Sequence, residues 1–353
     1  MPDPEHEVVQ QLKAHKQELA ELVTTIHFER HPELDERYGE EGRKKCHEDT
    51  MYHLDYLDQA VRVDSKKLFS NYLEWARTML RERGIPKNDL VDNIVVLREA
   101  IKKILPDSEA SLLAGYINEG LSSLQGTDGK EITFLNADEP LFDEARKYLD
   151  LLLSGDRKKA AQLIRKLVDD GTSIKDIYEH IFQKTQYEVG ALWQTNQITV
   201  AHEHFCTAAT QLIMSQLYPE IFATKKTGKR LVSCSVGSEL HEIGIRMVTD
   251  YFEMEGWDTY YLGANMPDNH LIASIKETKA DLLAISITIP LHISKAKNLI
   301  EKIRLESEFE QMKIIVGGYP FKIVPNLWKK VGADASALSA NEAIEIANKL
   351  ILN

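Results

Sequence analysis

The last third of the chain alternates between short apolar runs rich in β-branched residues and longer segments with apolar residues at helical spacing. Runs of the first kind predict strands, and segments of the second kind predict helices. The predicted strands begin near residues 231, 259, 282, 313 and 334, and helices follow them from residues 243, 268, 294, 321 and 340. Five strands that alternate with five helices predict a parallel, doubly wound sheet over residues 229–353.

The region before the sheet, residues 139–225, carries four runs of apolar residues at helical spacing, joined by short loops. Ser173, with Asp176 three residues later, and Thr199 are predicted to cap the amino ends of the third and fourth helices. Four amphipathic helices with such short connections predict a four-helix bundle, which we expect to form a cap for the sheet domain.

Residues 1–125 also show helical spacing throughout. The predicted helices lie at about residues 10–27, 44–63, 64–83, 88–104 and 107–124. Residues 126–138, which begin Gly-Thr-Asp-Gly-Lys, have the turn-forming composition of a linker. The sequence therefore predicts a multidomain protein: an amino-terminal all-α bundle, a middle four-helix cap and a carboxyl-terminal flavodoxin-like, Rossmann-like α/β domain.

Composition narrows the class of protein. The net charge of −12 over 353 residues argues against a nucleic-acid-binding surface. No apolar run approaches the length of a membrane span, and the amino terminus has no signal-like apolar segment. The three cysteines are widely spaced and form neither a disulfide framework nor a metal-binding spacing. We expect a soluble, cytoplasmic protein that binds neither nucleic acid nor membrane.

A histidine and two pairs of small residues follow three of the predicted strands. His241 lies in the loop after the first strand, Ser286 and Thr288 end the third, and Gly317-Gly318 ends the fourth. The carboxyl ends of parallel strands share one edge of the sheet, where ligands bind. The loop after the first strand lacks the Gly-x-Gly-x-x-Gly of dinucleotide-binding proteins. The imidazole can bind a metal, and the two hydroxyls and the glycine pair along the same groove can accommodate a long tail. This combination indicates a metal complex with a long tail as the ligand.

Seven residues in three short motifs resemble the signatures of cobalamin-binding domains. The motifs are Glu239-x-His241-x-x-Gly244, Ser286-x-Thr288 and Gly317-Gly318. The resemblance implies that His241 binds beneath the cobalt and that the motifs of the third and fourth strands hold the displaced nucleotide tail. Glu239 stands where the family usually has aspartate, and keeps a carboxylate that orients the imidazole.

The cap region carries a further motif, Trp193 followed after nine residues by Glu203-His204. It resembles the light-sensing cobalamin proteins. The resemblance implies adenosylcobalamin as the cofactor, an adenosyl pocket shaped by Trp193 and Glu203, and His204 as the upper cobalt ligand after light. His202 is a second imidazole that competes for that role. Without the resemblance, Trp193 is a core residue and Glu203 complements the helix dipole.

The second predicted helix carries apolar and titratable residues on one stripe. Asp49, His53 and Tyr56 recur there at helical spacing, one turn after Cys46. Polar groups on an apolar face cost stability unless something satisfies them. The stripe therefore predicts either core aromatic residues whose hydroxyls reach water or a pocket for a flat conjugated ligand. Haem, bound through His53 or another histidine, is a variant of the second interpretation.

The amino-terminal region is similar to that of the photocobilins, light sensors that hold a linear tetrapyrrole beside the cobalamin. The resemblance implies that biliverdin binds to this stripe, with the titratable residues at the pyrrole nitrogens and Arg43 or Arg77 at the propionates. A thioether from Cys46 to the bilin is compatible with the sequence but not required by it.

The sequence thus predicts a non-enzymatic light sensor that binds adenosylcobalamin and a bilin. Photolysis of the cobalt–carbon bond is expected to change the state of a homo-oligomer and so to signal to an unknown protein partner. The alternative is a corrinoid protein that carries a methyl group in a methyltransferase system. It needs the cap, His241 and the sheet, but not the tryptophan motif.

Overall fold

The computed structural model describes residues 4–126 and 133–351, and the chain divides into two compact units. The first unit comprises the amino-terminal region together with residues 289–294 and 322–330. The second unit contains the rest of the chain, so the predicted cap and the sheet belong to one body. Residues 127–132 of the predicted linker lie outside the described residues.

The first unit is helical, as predicted. Its helices are α1 (Pro4–Arg30), α2 (Glu33–Arg62), α3 (Lys66–Arg81), α4 (Lys87–Ile104) and α5 (Asp107–Leu124). Both α1 and α2 begin earlier than predicted, and α2 consists of two helical segments that meet at a kink at Gly39, whose φ is +59°. Glycine adopts a positive φ at little steric cost, so the chain changes direction there.

The two later segments of the first unit are tied to the end of α2 and the turn after it. The Ser294 hydroxyl donates to Gln59 Oε1 at 2.7 Å, and Lys330 Nζ donates to the Val63 carbonyl at 2.6 Å. Sequence periodicity carries no sign of these contacts, because they join residues more than two hundred positions apart.

The middle region contains four helical stretches and one short helix. They are α6 (Phe142–Leu153), α7 (Arg157–Asp169), α8 (Ile174–Asp176) continued by a π-helical segment (Ile177–Gln183) and α9 (Lys184–Gln194), α10 (Val200–Ser215) and α11 (Tyr218–Ile221). Both predicted caps are confirmed: Ser173 Oγ accepts from Asp176 N, and Thr199 Oγ1 accepts from His202 N. The arrangement of these helices as a four-helix bundle stays a prediction.

The π-helical segment was not predicted, because its apolar residues look α-helical in sequence. Within this segment the Tyr178 hydroxyl donates to Asp250 Oδ2 at 2.8 Å. Burial raises the pKa of Asp250 to about 6. π-Helical turns within α-helices are rare and often occur near functional sites.

The sheet is parallel and five-stranded. Its elements are β1 (Arg230–Ser235), α12 (Ile243–Met254), β2 (Asp258–Tyr261), α13 (Asp268–Thr278), β3 (Leu282–Ser286), α14 (Ile293–Arg304), β4 (Lys313–Gly317), α15 (Tyr319–Ile323), α16 (Leu327–Lys330), β5 (Ala335–Ala337) and α17 (Ala340–Ile351). The strand order β2-β1-β3-β4-β5 is the flavodoxin-like order. The predicted α/β domain is confirmed, and one predicted helix near residues 321–330 is split into α15 and α16.

The second unit has a core that joins the helices before the sheet to the sheet itself. Tyr148 and Phe182 come from those helices, and Phe252 and Trp257 from α12 and the turn after it; all are buried in one cluster. Burial of each such side chain contributes about 1.5–3 kcal/mol. This shared core holds the cap region against α12, which begins beside the candidate site.

None of the described helices is long and apolar enough to cross a membrane. Among the same residues, no three His, Cys, Asp or Glu side chains are grouped as metal ligands.

Candidate functional site

His241 lies in the loop between β1 and α12, and a buried carboxylate fixes its ring. Glu239 Oε1 accepts from the His241 backbone N at 3.1 Å and lies 2.5 Å from His241 Nδ1. The Ser235 hydroxyl at the end of β1 donates to the His241 carbonyl at 3.0 Å. Because the carboxylate accepts only, Nδ1 carries the proton, and Nε2 is the nitrogen left for a metal.

Glu239 also connects this loop to the end of β3. Its Oε2 accepts from the Thr288 backbone N at 2.9 Å, and the residue is fully buried. The hydrogen bond to Glu239 raises the pKa of His241, and partial burial opposes this shift. The His241 side chain is still 59% exposed. The loop thus presents an oriented imidazole of increased basicity to the outside of the sheet edge.

The glycine pair after β4 allows close backbone contact at the same edge. Gly318 has φ of +111°, and a Cβ placed on it would lie 1.9 Å from the Ile287 carbonyl oxygen. Gly317 pairs with Ser286 in the sheet register, and Ser286 also pairs with Ser235 of β1. The structure therefore brings the residues predicted from three separate strands to one edge. No residue larger than glycine fits at position 318.

Gly244 differs from Gly318, because nothing lies within 4 Å of the Cβ that it lacks. It occupies the first turn of α12, directly beyond His241. Leu240, on the other side of the histidine, is 72% exposed. The space beside the imidazole is open and partly apolar, which is a surface that a large, mostly apolar ligand would cover.

The residues of the cap motif lie on α9 and α10, and none of them is fully buried. Trp193 is half-buried near the end of α9, and His204 is 75% exposed in the first turns of α10. Glu203 Oε2 lies 2.5 Å from His204 Nδ1. The negative charge of Glu203 also contributes to the raised pKa of His241, after the larger effect of Glu239. The carboxylate of the cap motif is therefore within electrostatic reach of the imidazole on the sheet edge.

His202, the predicted competitor of His204, is engaged elsewhere. Its Nδ1 lies 2.8 Å from the Thr199 hydroxyl, and its ring completes the cap of α10 by interacting with the Thr199 backbone N. A histidine in this position of a capping box is not evident from sequence, where glutamate or glutamine is the usual residue.

Two residues that the sequence did not single out connect α10 to the start of α12. Glu242 accepts from Gln211 Nε2 at 2.9 Å and from the Tyr261 hydroxyl at 2.8 Å. The buried Arg246 donates to the Gln211 carbonyl and to the Ser215 hydroxyl. An arginine on an otherwise apolar helix face was the available signal, since a buried guanidinium needs partners.

The stripe in the first unit is only partly a surface feature. Tyr56 stacks on Tyr72 with ring centroids 3.7 Å apart, and Tyr72 is followed by Trp75 at 6.3 Å. His53 is buried behind them, with Nδ1 2.8 Å from the Tyr72 hydroxyl, and burial lowers its pKa to about 4. Asp49 is half-buried, and burial raises its pKa to about 6.

Two other predicted bilin contacts have different surroundings. Arg43 forms a two-point ion pair with Asp35, with Nε 2.7 Å from Oδ1, and its guanidinium lies over the Phe28 ring. Burial raises the pKa of the Cys46 thiol to about 11, and Asn93 Nδ2 donates to its sulfur. A thioether at Cys46 is therefore disfavoured, because the reactive form of a cysteine is the thiolate.

Comparison with known families identifies two B12-binding regions in the second unit. Residues 229–347 match the B12 binding domain family, and residues 144–218 match a second B12 binding domain family. Residues 4–153 match the phycobilisome protein family.

Curated relatives of the chain are corrinoid proteins. A corrinoid protein of Desulfitobacterium hafniense is 26% identical over 216 residues, which is 60% of this chain and 97% of the relative. Dimethylamine corrinoid protein 2 of Methanosarcina acetivorans is 27% identical over 170 residues, covering 47% of this chain and 76% of the relative. The solved monomethylamine corrinoid protein of Methanosarcina barkeri has the same fold, with a TM-score of 0.54 and 21% identity over 60% of this chain and 100% of that one.

The predicted cobalamin-binding regions are thus confirmed at the level of the domain family. The predicted light sensor is wrong, because the relatives are corrinoid proteins rather than photoreceptors. Light-driven signal transduction and a light-dependent oligomer are withdrawn with it. The tryptophan motif suggested them, but the motif describes three side chains of a cap and does not itself specify a response to light.

Proposed function

We propose that this chain is a corrinoid protein that carries a methyl group between partner proteins of a methyltransferase system. The geometry that carries the proposal is the Glu239–His241 pair, whose oriented imidazole is exposed at the carboxyl end of β1. The corrinoid relatives support it, because the match extends over 97% of one and 76% of another.

The residues at this edge fit cobalamin on three counts. The open space at Gly244 accommodates a bulky ring, and the exposed Leu240 offers an apolar contact for it. Gly318 lets a ligand tail approach the backbone between β3 and β4. The buried Glu239 gives the metal-binding histidine the carboxylate partner that such histidines usually have.

Each residue has a separate task in this proposal. His241 Nε2 would bind the lower side of the cobalt, and Glu239 would orient the ring and increase its basicity. Ser286, Thr288 and the glycine pair would hold the nucleotide tail. The Thr288 backbone N–H is already engaged by Glu239, so its hydroxyl is the group that we assign to the tail. Bound cobalamin would supply a cobalt that accepts and releases the methyl group.

Trp193, Glu203 and His204 would lie at the upper face. A methyl carrier must leave this face accessible to a partner, so the proposed functional form of the cofactor is methylcobalamin rather than adenosylcobalamin. The proposed partners are methyltransferase proteins, because corrinoid proteins named for dimethylamine and monomethylamine are among the relatives.

Absorption titrations with methylcobalamin, adenosylcobalamin and hydroxocobalamin test this function. We expect methylcobalamin to bind at least as tightly as adenosylcobalamin, with replacement of the cofactor's own lower base. The chain loaded with hydroxocobalamin, after chemical reduction, should be methylated rapidly by methyl iodide. Strict preference for the adenosyl form, together with protection of the reduced complex from methyl iodide, would contradict a carrier.

A second candidate function concerns the first unit alone. We propose that residues 1–125 bind a linear tetrapyrrole on the face formed by Tyr56, Tyr72 and Trp75, with Asp49 beside it. The match of residues 4–153 to the phycobilisome protein family supports the proposal. Tyr56 and Trp75 are partly exposed and both pack on the buried Tyr72, so their rings offer aromatic contacts to a conjugated ligand.

His53 would act from behind that face, through the Tyr72 hydroxyl, rather than by direct contact. Arg43 would reach a propionate only after leaving Asp35. Titration with biliverdin, followed by its long-wavelength absorption, tests the assignment. Tyr56→Leu should weaken binding, while Tyr187→Leu, an exposed tyrosine of the second unit, should not. Absence of a red-shifted band in the unaltered chain would exclude the site.

A further inference from the structure

Two carboxylate–imidazole pairs lie among the described residues of the second unit, and one of them belongs to a family motif at the sheet edge. In both pairs a glutamate oxygen lies 2.5 Å from a histidine Nδ1: Glu239 with His241, and Glu203 with His204. In the second pair the residues are neighbours on helix α10. Adjacent side chains on a helix point in different directions, so they do not meet by default. Something must hold the Glu203 carboxylate towards the imidazole.

Thr207 is the first residue that does so. It lies one turn beyond Glu203 on α10, and its hydroxyl is 2.8 Å from Glu203 Oε1. Glu203 thereby has one oxygen on Thr207 and the other on His204. This repeats the arrangement of Glu239, whose second oxygen is held by the Thr288 backbone N.

Gln186 connects Thr207 to the core. The single proton of the Thr207 hydroxyl is shared between Glu203 Oε1 at 2.8 Å and Gln186 Oε1 at 3.2 Å, and Gln186 Nε2 donates to Thr210 Oγ1 at 2.9 Å. Thr210 is fully buried and lies 3.0 Å from the hydroxyl of the buried Tyr148. The half-buried Glu203 and the exposed His204 are therefore attached, through two side chains, to buried groups inside the second unit.

The π-helical segment has a role in this arrangement. It ends at Gln183, one turn before Gln186. A π-helical turn contains more residues than an α-helical turn, so every later side chain of the helix is rotated relative to a regular α-helix. The rotation brings Gln186 opposite α10, where it meets Thr207 and Thr210.

We propose that Gln186 and Thr207 are positioning residues, which hold Glu203 so that His204 keeps its proton on Nδ1 and presents Nε2 to the upper face of bound cobalamin. The presentation to cobalamin rests on the proposed function; the positioning itself does not. The network acts on the orientation of an imidazole and takes no part in the chemistry at cobalt. His204 would thus be oriented by a glutamate on the upper side of the cofactor, as His241 is on the lower side.

The positioning is tested first on the cofactor-free chain. The ¹⁵N shifts of a histidine ring report which nitrogen carries the proton. The His204 signals are assigned by their loss in His204→Gln. We expect the Nδ1–H form in the unaltered chain and a shift towards Nε2–H in Thr207→Val and in Gln186→Met. An unchanged ring in both variants would overturn the proposal.

The second measurement uses hydroxocobalamin, whose absorption changes when an imidazole replaces the upper ligand. Thr207→Val and Gln186→Met should lower the equilibrium constant for His204 binding about tenfold or more, as loss of a partner behind a metal-binding histidine does. His241 ligation, followed by electron paramagnetic resonance of the reduced complex, should stay unchanged. His204→Ala should remove the upper imidazole entirely.

Two variants separate positioning from general disturbance of the cap. Thr207→Ser keeps the hydroxyl and should restore both readouts. Thr195→Val removes a half-buried hydroxyl of the same region that donates to the Ala191 carbonyl of its own helix, and should leave both unchanged. Equal effects of Thr195→Val and Thr207→Val would overturn the proposal. If hydroxocobalamin does not bind to the unaltered chain, the proposed function fails, and the ring measurement still decides the positioning.

Discussion

His53 and His241 were both predicted to contact a cofactor, and the two units give them opposite surroundings. His53 is 2% exposed and meets a neutral tyrosine hydroxyl, and burial lowers its pKa to about 4. His241 is 59% exposed and meets a buried carboxylate, which raises its pKa. Each has an acidic residue nearby in sequence, Asp49 for one and Glu239 for the other. Only Glu239 contacts its histidine through a hydrogen bond at Nδ1.

The comparison shows what makes a histidine suitable as a ligand. A metal-binding imidazole must be reachable, and its second nitrogen must be held by an acceptor that fixes the ring. His241 meets both conditions. His53 meets neither, and its ring serves the packing of an aromatic cluster.

The largest expected effect is the difference in hydroxocobalamin affinity between variants at His241 and His53. His241→Ala should lower the affinity for hydroxocobalamin by more than about 100-fold, since loss of a partner behind a ligand already costs about 10–100-fold. His53→Ala should change it by less than about twofold, because His53 belongs to the other compact unit and is not a predicted contact of cobalamin. Absorption titration of both variants makes the measurement. A comparable loss in the two would refute the distinction.

The second effect concerns stability against pH. In the unfolded chain His53 has its ordinary pKa of 6.5, and in the folded chain about 4. Between these values the unfolded chain binds more protons, so the contribution of His53 to stability is present above pH 6.5 and is lost as the pH falls to about 4. The loss is on the order of 3 kcal/mol.

This dependence is measured as the difference between the unaltered chain and His53→Gln in denaturant unfolding at several pH values. The difference is needed because other groups of the first unit titrate in the same range: burial lowers the pKa of His27 to about 4 and raises that of Asp49 to about 6. Parallel curves for the two proteins would show that His53 does not have a lowered pKa.

The third effect tests the partner of His241. Glu239→Gln should weaken hydroxocobalamin binding by about 10–100-fold, because the amide replaces the charged acceptor behind the imidazole. Glu277→Gln, at an exposed glutamate of α13, is the matched control. Titration followed by absorption gives both affinities, and equal values would mean that the carboxylate does not support ligation.

The smallest effect concerns the space beside His241. Gly244→Ala should change the stability of the cofactor-free chain by less than about 1 kcal/mol, since the added methyl meets nothing within 4 Å and alanine favours a helix. The same variant should weaken cobalamin binding, because the methyl enters the space assigned to the corrin ring. Unfolding and titration on one sample measure both quantities. Unchanged cobalamin affinity would show that the corrin ring does not lie beside α12.

The predicted α/β domain was confirmed, but the predicted function as a light sensor was wrong. The cap motif correctly pointed to a cobalamin-binding region, but its functional meaning came from a resemblance and not from the chemistry of Trp193, Glu203 and His204. The same three side chains are compatible with a methyl carrier. Relatives of the chain had to distinguish between these two functions.

The sequence by itself determined the elements of the second unit and the residues at the edge of its sheet. Period-two and period-3.6 patterns are local, and the ends of parallel strands meet at one edge, so His241, Ser286 and Gly318 could be placed together before any coordinates were known. Ser173 and Thr199 were identifiable as caps for the same reason, since a cap bonds within its own helix turn.

Only the tertiary structure decided the surroundings of each group. The burial of His53, the second hydrogen bond of Glu239 to Thr288, and the attachment of Glu203 to the core through Gln186 all join residues distant in sequence. The π-helical segment belongs with them, because its apolar residues fit an α-helix equally well. Solvent exposure and hydrogen-bond partners depend on which elements pack together, and they decide whether a histidine stabilises a fold or binds a metal.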